Sequence, residues 1–246
     1  MDLGLSGARV AVAAASNGLG FATAQAFVDN GAQVVICGRN ERGLTAACER
    51  LGPSATWILA DVSEPAEATS FVREASARLG GLDVLVTNAG GPPPGRAGEM
   101  TIEDYEAAFR LNCLSTIAMC EAALPGMRDQ RHGRIVAITS VSVRQPIATL
   151  VLSNTARAGA TAYLKTLATE VAADGITVNS VQPGFHMTDR LADIGNLDAI
   201  AAAVPAKRIG APEDFGKIVA FLASDTANYI TGAALQVDGG AYSGLQ

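Results

Sequence analysis

The chain has 246 residues, 49% of them apolar and 17% charged, with a formal charge of -6. That length accommodates one α/β domain with a large core, and the acidic balance argues against a phosphate-neutralising nucleic-acid surface, which needs clustered Lys and Arg. The first residues show no basic stretch leading into an apolar one, and no window reads as the roughly 18 apolar residues of a membrane span. A cytoplasmic protein with neither membrane nor nucleic-acid partner is the expectation.

In chain order, short β-branched or apolar runs alternate with longer stretches whose apolar residues recur three or four apart. A strand over Arg9 to Ala14 leads through Ser16-Asn17-Gly18-Leu19-Gly20 into a helix over Phe21 to Asn30. The strand Gln33 to Cys37 ends on Gly38-Arg39-Asn40, and the strand Thr56 to Ala60 ends on Asp61-Val62 before a helix over Ala66 to Leu79. Val84 to Thr87 is a strand ending on Asn88-Ala89-Gly90, followed by the stiff loop Gly91-Pro92-Pro93-Pro94-Gly95 and a helix over Glu103 to Leu124. Strand Arg134 to Thr139, helix Thr155 to Ala173 and strands Thr177 to Val181 and Ala234 to Val237 complete the series. Such alternation predicts one α/β domain over 1–246: a doubly wound (Rossmann) parallel sheet of seven strands with helices on both faces. Its ligand would lie beyond the carboxyl ends of the strands. Cys37, Cys48, Cys113 and Cys120 have no C-x-x-C spacing and sit in apolar segments, so reduced structural thiols are expected, and no metal site.

A glycine-bearing turn between a first strand and its helix presents backbone N–H groups and the positive helix end to a pyrophosphate. By itself such a turn is common. Arg39, after the second strand, occupies the place where a dinucleotide fold reads the adenine ribose, and a base there favours the 2′-phosphate of NADP(H) over NAD(H). The alternative is an exposed arginine closing a strand end. Asp61-Val62 and Asn88-Ala89-Gly90 fall on the same sheet edge, though either could be only a turn.

Together these residues resemble the short-chain dehydrogenase/reductase family, from Leu5 to Tyr242. The family's T-G-x-x-x-G-x-G falls on Ala13 to Gly20, its D-V on Asp61-Val62, its N-A-G on Asn88 to Gly90, and its N-x-V-x-P-G on Asn179 to Gly184. Arg208 to Asp214 and Ile230 to Gly240 look like C-terminal signatures of 3-oxoacyl-carrier-protein reductases. The resemblance implies that Ala14, Ser16, Asn17, Gly18, Leu19, Gly20, Arg39, Asp61, Val62, Asn88, Ala89, Gly90, Arg157, Pro183, Gly184, His186 and Thr188 hold the cofactor. It implies a loop over about 184–207 at the substrate. It also implies a homotetramer packed through the long helices, where Ala156, Ala158, Gly159, Ala160 and Ala162 allow close approach.

The catalytic set departs from the pattern. Asn112 and Ser140 match the family's asparagine and serine, but the tyrosine and lysine of Y-x-x-x-K are replaced by Ser153 and Arg157. The register is fixed by Ala156-Arg157-Ala158-Gly159 and by the spacing to Asn179 and Pro183. A serine hydroxyl is far too weak an acid to protonate a carbonyl as hydride arrives. Tyr163, ten residues beyond Ser153 on one helix, is about 15 Å along the axis and cannot substitute. His186 is the candidate proton donor, with a solvated loop histidine as its alternative; His132 reads as structural. Ala14 replaces the family's first glycine, which costs about 1 kcal/mol if φ is positive there and nothing if it is negative. The expectation is an NADP-dependent oxidoreductase of a small carbonyl or alcohol substrate, slow or acting on an activated substrate. The alternatives are a catalytically degenerate nucleotide-binding protein with a regulatory or structural role, or non-redox chemistry in the same cleft.

Overall fold

The computed structural model describes residues 2–192 and 195–245. Seven parallel strands form one sheet in the order β3-β2-β1-β4-β5-β6-β7, with β1 (Arg9–Val12), β2 (Gln33–Gly38), β3 (Ala55–Leu59), β4 (Val84–Thr87), β5 (Gly133–Ile138), β6 (Ile176–Pro183) and β7 (Ala234–Val237). The seven expected strands are these seven. The strand order reverses between β1 and β4, the place in such a sheet where a crevice forms beyond the carboxyl ends because the connections leave on opposite faces. β1 stops two residues short of the expected Ala14 because Ala14 turns to φ 47° and leaves the sheet.

The β1 side chains show why both faces must be covered. Val10 and Val12 join one core with Phe27, Leu44, Phe215 and Val219, whereas Ala11 and Ala13 join the other with Phe71, Met119, Leu164 and Leu167. The first core lies under α1 (Gly18–Asp29), α2 (Glu41–Leu51) and a late helix over Pro212–Leu222; the second lies under α3 (Pro65–Leu79), the long helix described next, and α6 (Val151–Val171). Two of the longer helices escaped the periodicity reading. In α2 the apolar stripe is narrow, formed by Leu44, Ala47 and Leu51 alone, and the Asn40 side chain starts the helix by accepting from Gly43 N at 2.9 Å. The helix over Pro212–Leu222 is short, with an interior Gly216 that lets it press on α1: a Cβ there would lie 2.3 Å from the Ala22 carbonyl oxygen.

Helix α4 (Ile102–Phe109) opens with a reciprocal cap between Thr101 and Asp104, passes through a π turn at Arg110–Leu114 and continues as α5 (Ser115–Asp129). This continuous helix, Ile102–Asp129, is long and apolar enough to cross a membrane, contrary to the sequence expectation, but half of its most apolar window is buried inside the protein. Gly159 of α6 approaches the π turn closely, and Ala156 and Ala160 are buried within the same chain, so of the small residues on that helix Ala158 and Ala162 are the exposed ones. The four cysteines are free, and burial pushes the Cys37 thiol up to about 12.

Candidate active site

At the β1 edge the ligand-facing groups are main chain. Ala13 N donates to Val86 O (3.0 Å) and Ala15 N to Cys37 O (2.9 Å), so both neighbours of Ala14 are tied to the sheet. The Asn88 amide nitrogen, at the end of β4, donates to the carbonyls of Ala13 (3.2 Å) and Ala14 (3.1 Å). The positive φ of Ala14 places it on the costly branch anticipated for a missing glycine. Gly20 is obligatory, since a Cβ would lie 2.5 Å from Ala14 O and 2.8 Å from the Asn88 amide nitrogen. Asn17 precedes α1 in extended conformation and makes no side-chain cap, leaving the first N–H groups of the helix free for an anion. Beyond β2, Arg39 is largely exposed, with one guanidinium nitrogen 3.9 Å from an Asp61 carboxylate oxygen. Asp61 itself accepts from Ser63 N (3.0 Å) and Ser63 Oγ (2.8 Å). An uncapped helix end, a glycine that permits close approach and an exposed cation beyond the second strand fit a dinucleotide pyrophosphate and a ribose phosphate.

The other end of the crevice is built from side chains. Ser140 follows β5, and its Oγ accepts from Ser142 N at 3.1 Å, which leaves the hydroxyl proton to donate. Ser153 and Arg157 lie one turn apart on α6 and are 7% and 8% exposed. The Arg157 Nη1 donates to the carbonyls of Ile138 (3.0 Å) and Thr139 (3.2 Å), and Nη2 to that of Ala89 (3.2 Å). One cation thus ties α6 to the carboxyl ends of β5 and β4. Burial, helped by the charge of Arg190, lowers its pKa to about 10, and among the described residues no carboxylate pairs with it.

A cleft of about 860 Å³ joins the two ends. Its lining includes Ala14, Ser16, Asn17, Gly18, Leu19, Gly20, Arg39, Asp61, Val62, Asn88, Ala89, Gly90, Ser140, Ser153, Arg157, Pro183, Gly184 and Thr188. Two expected site residues are placed elsewhere. Asn112 is buried in the π turn, donating to Gly90 O at 2.9 Å with its own Oδ1 without a partner among the described residues, so it braces the turn that follows β4. The His186 ring is buried edge-on against Phe215 (centroids 5.1 Å apart) in a separate small cavity, with Nδ1 3.3 Å from Gly184 O. Its main chain bridges to Gly210, and burial lowers its pKa. The structure thus packs the ring within the β6 loop, outside the lining of the large cleft. Tyr163 OH bonds Glu121 at 2.8 Å, away from the cleft.

Other lining residues carried no motif. The loop after β6 contributes Phe185, α7 (Asp189–Ala192) contributes Arg190, and α8 (Leu197–Ala203) contributes Ile200. Arg190 Nη2 crosses to Pro92 O at 3.1 Å, so the expected substrate loop and the triple-proline loop meet over the cleft. That proline loop is in turn fixed to the start of α6, through Gly95 N to Thr149 O (2.7 Å) and Val151 N to Gly95 O (3.3 Å). Residues 193–194 of the expected 184–207 loop lie outside the described residues.

Comparison with known proteins places this geometry among enzymes. Residues 13–242 match the family described as Enoyl-(Acyl carrier protein) reductase. The 3-oxoacyl-[acyl-carrier-protein] reductase of Escherichia coli (strain K12) is 37% identical, over 94% of this chain and 96% of its own. The L-rhamnose 1-dehydrogenase (NAD(P)(+)) of Sphingomonas sp. (strain SKA58) is also 37% identical, over 98% and 99%. Among solved structures, L-sorbose reductase from Gluconobacter frateurii, complexed with NADPH and L-sorbose, superposes with a TM-score of 0.94 at 30% identity, covering all of both chains.

Proposed function

We propose, on the premise that the chain belongs to the short-chain dehydrogenase/reductase family, that it is an NADP(H)-dependent oxidoreductase of carbonyl or alcohol substrates with an atypical active site. Ser153 and Arg157 stand where the family has its tyrosine and lysine. The observation that carries this reading is the cofactor cradle: the turn held by Asn88, the free start of α1 and the exposed guanidinium of Arg39 line one cleft with Ser140 and Ser153. A bound nicotinamide would supply the hydride chemistry. The protein's part is to orient and to stabilise charge. Asn17, Gly18 and the first N–H groups of α1 would take the pyrophosphate, and Arg39 the 2′-phosphate. Ser140 and Ser153 hydroxyls face the same cleft and can donate to a substrate oxygen. Arg157 holds the cleft floor through three carbonyls and keeps a positive field beneath it. Thr188 and Gly184, beside Gly18 and Val237, would flank the nicotinamide, and the segment 184–207 would form the substrate loop. By resemblance the protein works as a cytoplasmic homotetramer of single-domain subunits.

One observation favours a second reading, that of a nucleotide-binding protein whose redox function has decayed: the described cleft lining contains no tyrosine, histidine, lysine or cysteine to give a proton. Titration with NADPH and with NADH, followed by reduced-nicotinamide fluorescence, tests the assignment. Saturable NADPH binding tighter than NADH is expected. Failure of either nucleotide to bind sinks the oxidoreductase reading, and tight binding without turnover of any carbonyl or alcohol favours the second.

A further inference from the structure

Arg190 reaches the reaction end of the cleft from α7, and its seat is built on the loop that follows β4. Its Nη2 donates to Pro92 O at 3.1 Å, and its guanidinium lies against Gly91, where a Cβ would come within 2.7 Å of Cζ. A side chain at 91 would displace the guanidinium, so the bare glycine after Asn88-Ala89-Gly90 is what admits it. The bond to Pro92 uses one N–H of a group that carries several. Among the described residues Arg190 makes no other hydrogen bond and no ion pair, and Asp189 beside it on α7 is exposed and equally unpaired.

The same loop carries a second cation. Arg157 donates to Ala89 O, three residues before Pro92, and that length of extended chain spans at most about 11 Å. The charge of Arg190 is felt at Arg157, whose pKa it helps burial to lower. Two like charges therefore border one end of a cleft walled by Pro94, Leu111, Ile147, Leu150, Phe185 and Ile200, while Asp61 lies beside Arg39 at the other end. An anion entering between them relieves that repulsion. Arg157 commits its guanidinium to the carbonyls of Ile138, Thr139 and Ala89, so Arg190 is the one with N–H groups to offer. Its donors also select the kind of anion. A phosphate dianion calls for several cations or a cluster of main-chain N–H groups, whereas a single planar fork with open edges matches a carboxylate.

We infer that the substrate of this cleft is a short oxo acid or the corresponding hydroxy acid, its carboxylate held by Arg190 and its carbonyl or hydroxyl oxygen met by Ser140 and Ser153. The inference rests on the oxidoreductase reading above and names the substrate class for it. The carboxylate passes through the reaction unchanged, and the oxidation state changes only at the carbon that bears the other oxygen. Arg190 is thus a specificity-determining residue: it chooses an anionic substrate and sets which end of it faces the serines. The contact with Pro92 fixes the guanidinium across the cleft before the acid arrives, which reduces the ordering cost of binding.

Calorimetric titration of the intact protein saturated with NADPH tests this without turnover. Oxamate, malonamate and succinamate place a carboxylate at increasing distance from an amide carbonyl that hydride does not reduce, and each is compared with its diamide, which has the same shape and no charge. At least one acid is expected to bind about tenfold or more tighter than its diamide, the ratio a charge-assisted hydrogen bond provides. Equal or weaker binding of all three acids overturns the inference, as does tighter binding of inorganic phosphate than of every acid. Arg190→Gln is expected to abolish the preference and leave NADPH affinity within about twofold, whereas Arg190→Lys keeps part of the preference because the charge remains and the fork is lost. A preference that survives Arg190→Gln overturns the role of this residue. Equal weakening of acid and diamide would make Arg190 only a latch between two loops, and loss of NADPH affinity would make it a cofactor ligand; either overturns the inference. Failure of the acids with NADPH bound leaves the oxidoreductase reading standing, whereas absence of NADPH binding to the parent protein removes that reading itself.

Discussion

The two ends of the cleft are made of different materials. At the cofactor end the recognising groups are main-chain N–H donors at the start of α1, set by a turn that Asn88 clamps and Gly20 permits. At the reaction end they are the side chains of Ser140, Ser153 and Arg157 on β5 and α6. Main-chain recognition tolerates change in side-chain identity as long as the turn keeps its path, and at Ala14 the turn is held by main-chain bonds on both sides. Side-chain chemistry has no such tolerance, because one substitution can remove an acid and leave the pocket. The same fold can therefore retain its dinucleotide site while the chemistry beside it changes.

The largest way to break this comparison is to show that the reaction end is also structural. Arg157→Met would leave the carbonyls of Ile138, Thr139 and Ala89 without their donor at a buried junction of α6 with two strand ends. Loss of about 3 kcal/mol of stability is expected, from the cost of buried unpaired acceptors offset by removal of a buried charge. Urea unfolding measures it, and an unchanged midpoint would mean that the guanidinium carries no weight in the fold. At the cofactor end, Arg39→Ala is expected to weaken NADPH binding about tenfold and leave NADH binding nearly unchanged, the modest size reflecting an exposed charge contact. Equal loss for both nucleotides would show that Arg39 does not read the 2′-phosphate.

How far the sequence could be read follows the same division. The seven strands were legible because both cores draw on dense runs such as Val10 to Ala13 and Val34 to Cys37. Asn112 and His186 fit a motif by position, but position along a chain does not fix where a side chain ends. The π turn carries Asn112 beneath Gly90, and the bridge from His186 to Gly210 turns its ring onto Phe215. Arg190 and Ile200 reach the cleft from short helices with no phosphate or catalytic signature, and nothing in their spacing marks them. The helix α2 offers only the three buried apolar residues Leu44, Ala47 and Leu51 over 11 residues, a short signal with an interior glycine.

His186 gives a smaller test, in which a packing histidine and a cleft histidine differ. Burial is the main cause that holds its pKa below the ordinary value, with the charge of Arg208 adding to it and the Gly184 carbonyl opposing. The unfolded chain therefore binds a proton that the folded one refuses as pH falls below about 6.5, and the stability contributed by the neutral ring is lost on the acid side. His186→Gln is expected to show a smaller drop in urea midpoint between pH 7 and pH 5 than the parent, the contribution of His132 remaining in both. An equal drop would place the His186 ring in solvent.

The smallest effect bears most directly on main-chain tolerance. Ala14 holds φ at 47°, where an L side chain costs about 1–2 kcal/mol and glycine costs nothing. Ala14→Gly relieves that strain but enlarges the freedom of the unfolded chain by about 0.4–1 kcal/mol. A net gain of about 0.5 kcal/mol is expected in urea unfolding, with NADPH affinity unchanged within about twofold, since 0.4 kcal/mol corresponds to that ratio at 25 °C. The turn is already fixed on both sides by Ala13, Ala15 and the Asn88 clamp, so glycine has no new path to offer it. A large rise in NADPH affinity would show instead that alanine distorts the cradle. The cofactor end would then be altered as well, and the contrast between a retained main-chain site and a rewritten side-chain site would fail where it is most exposed.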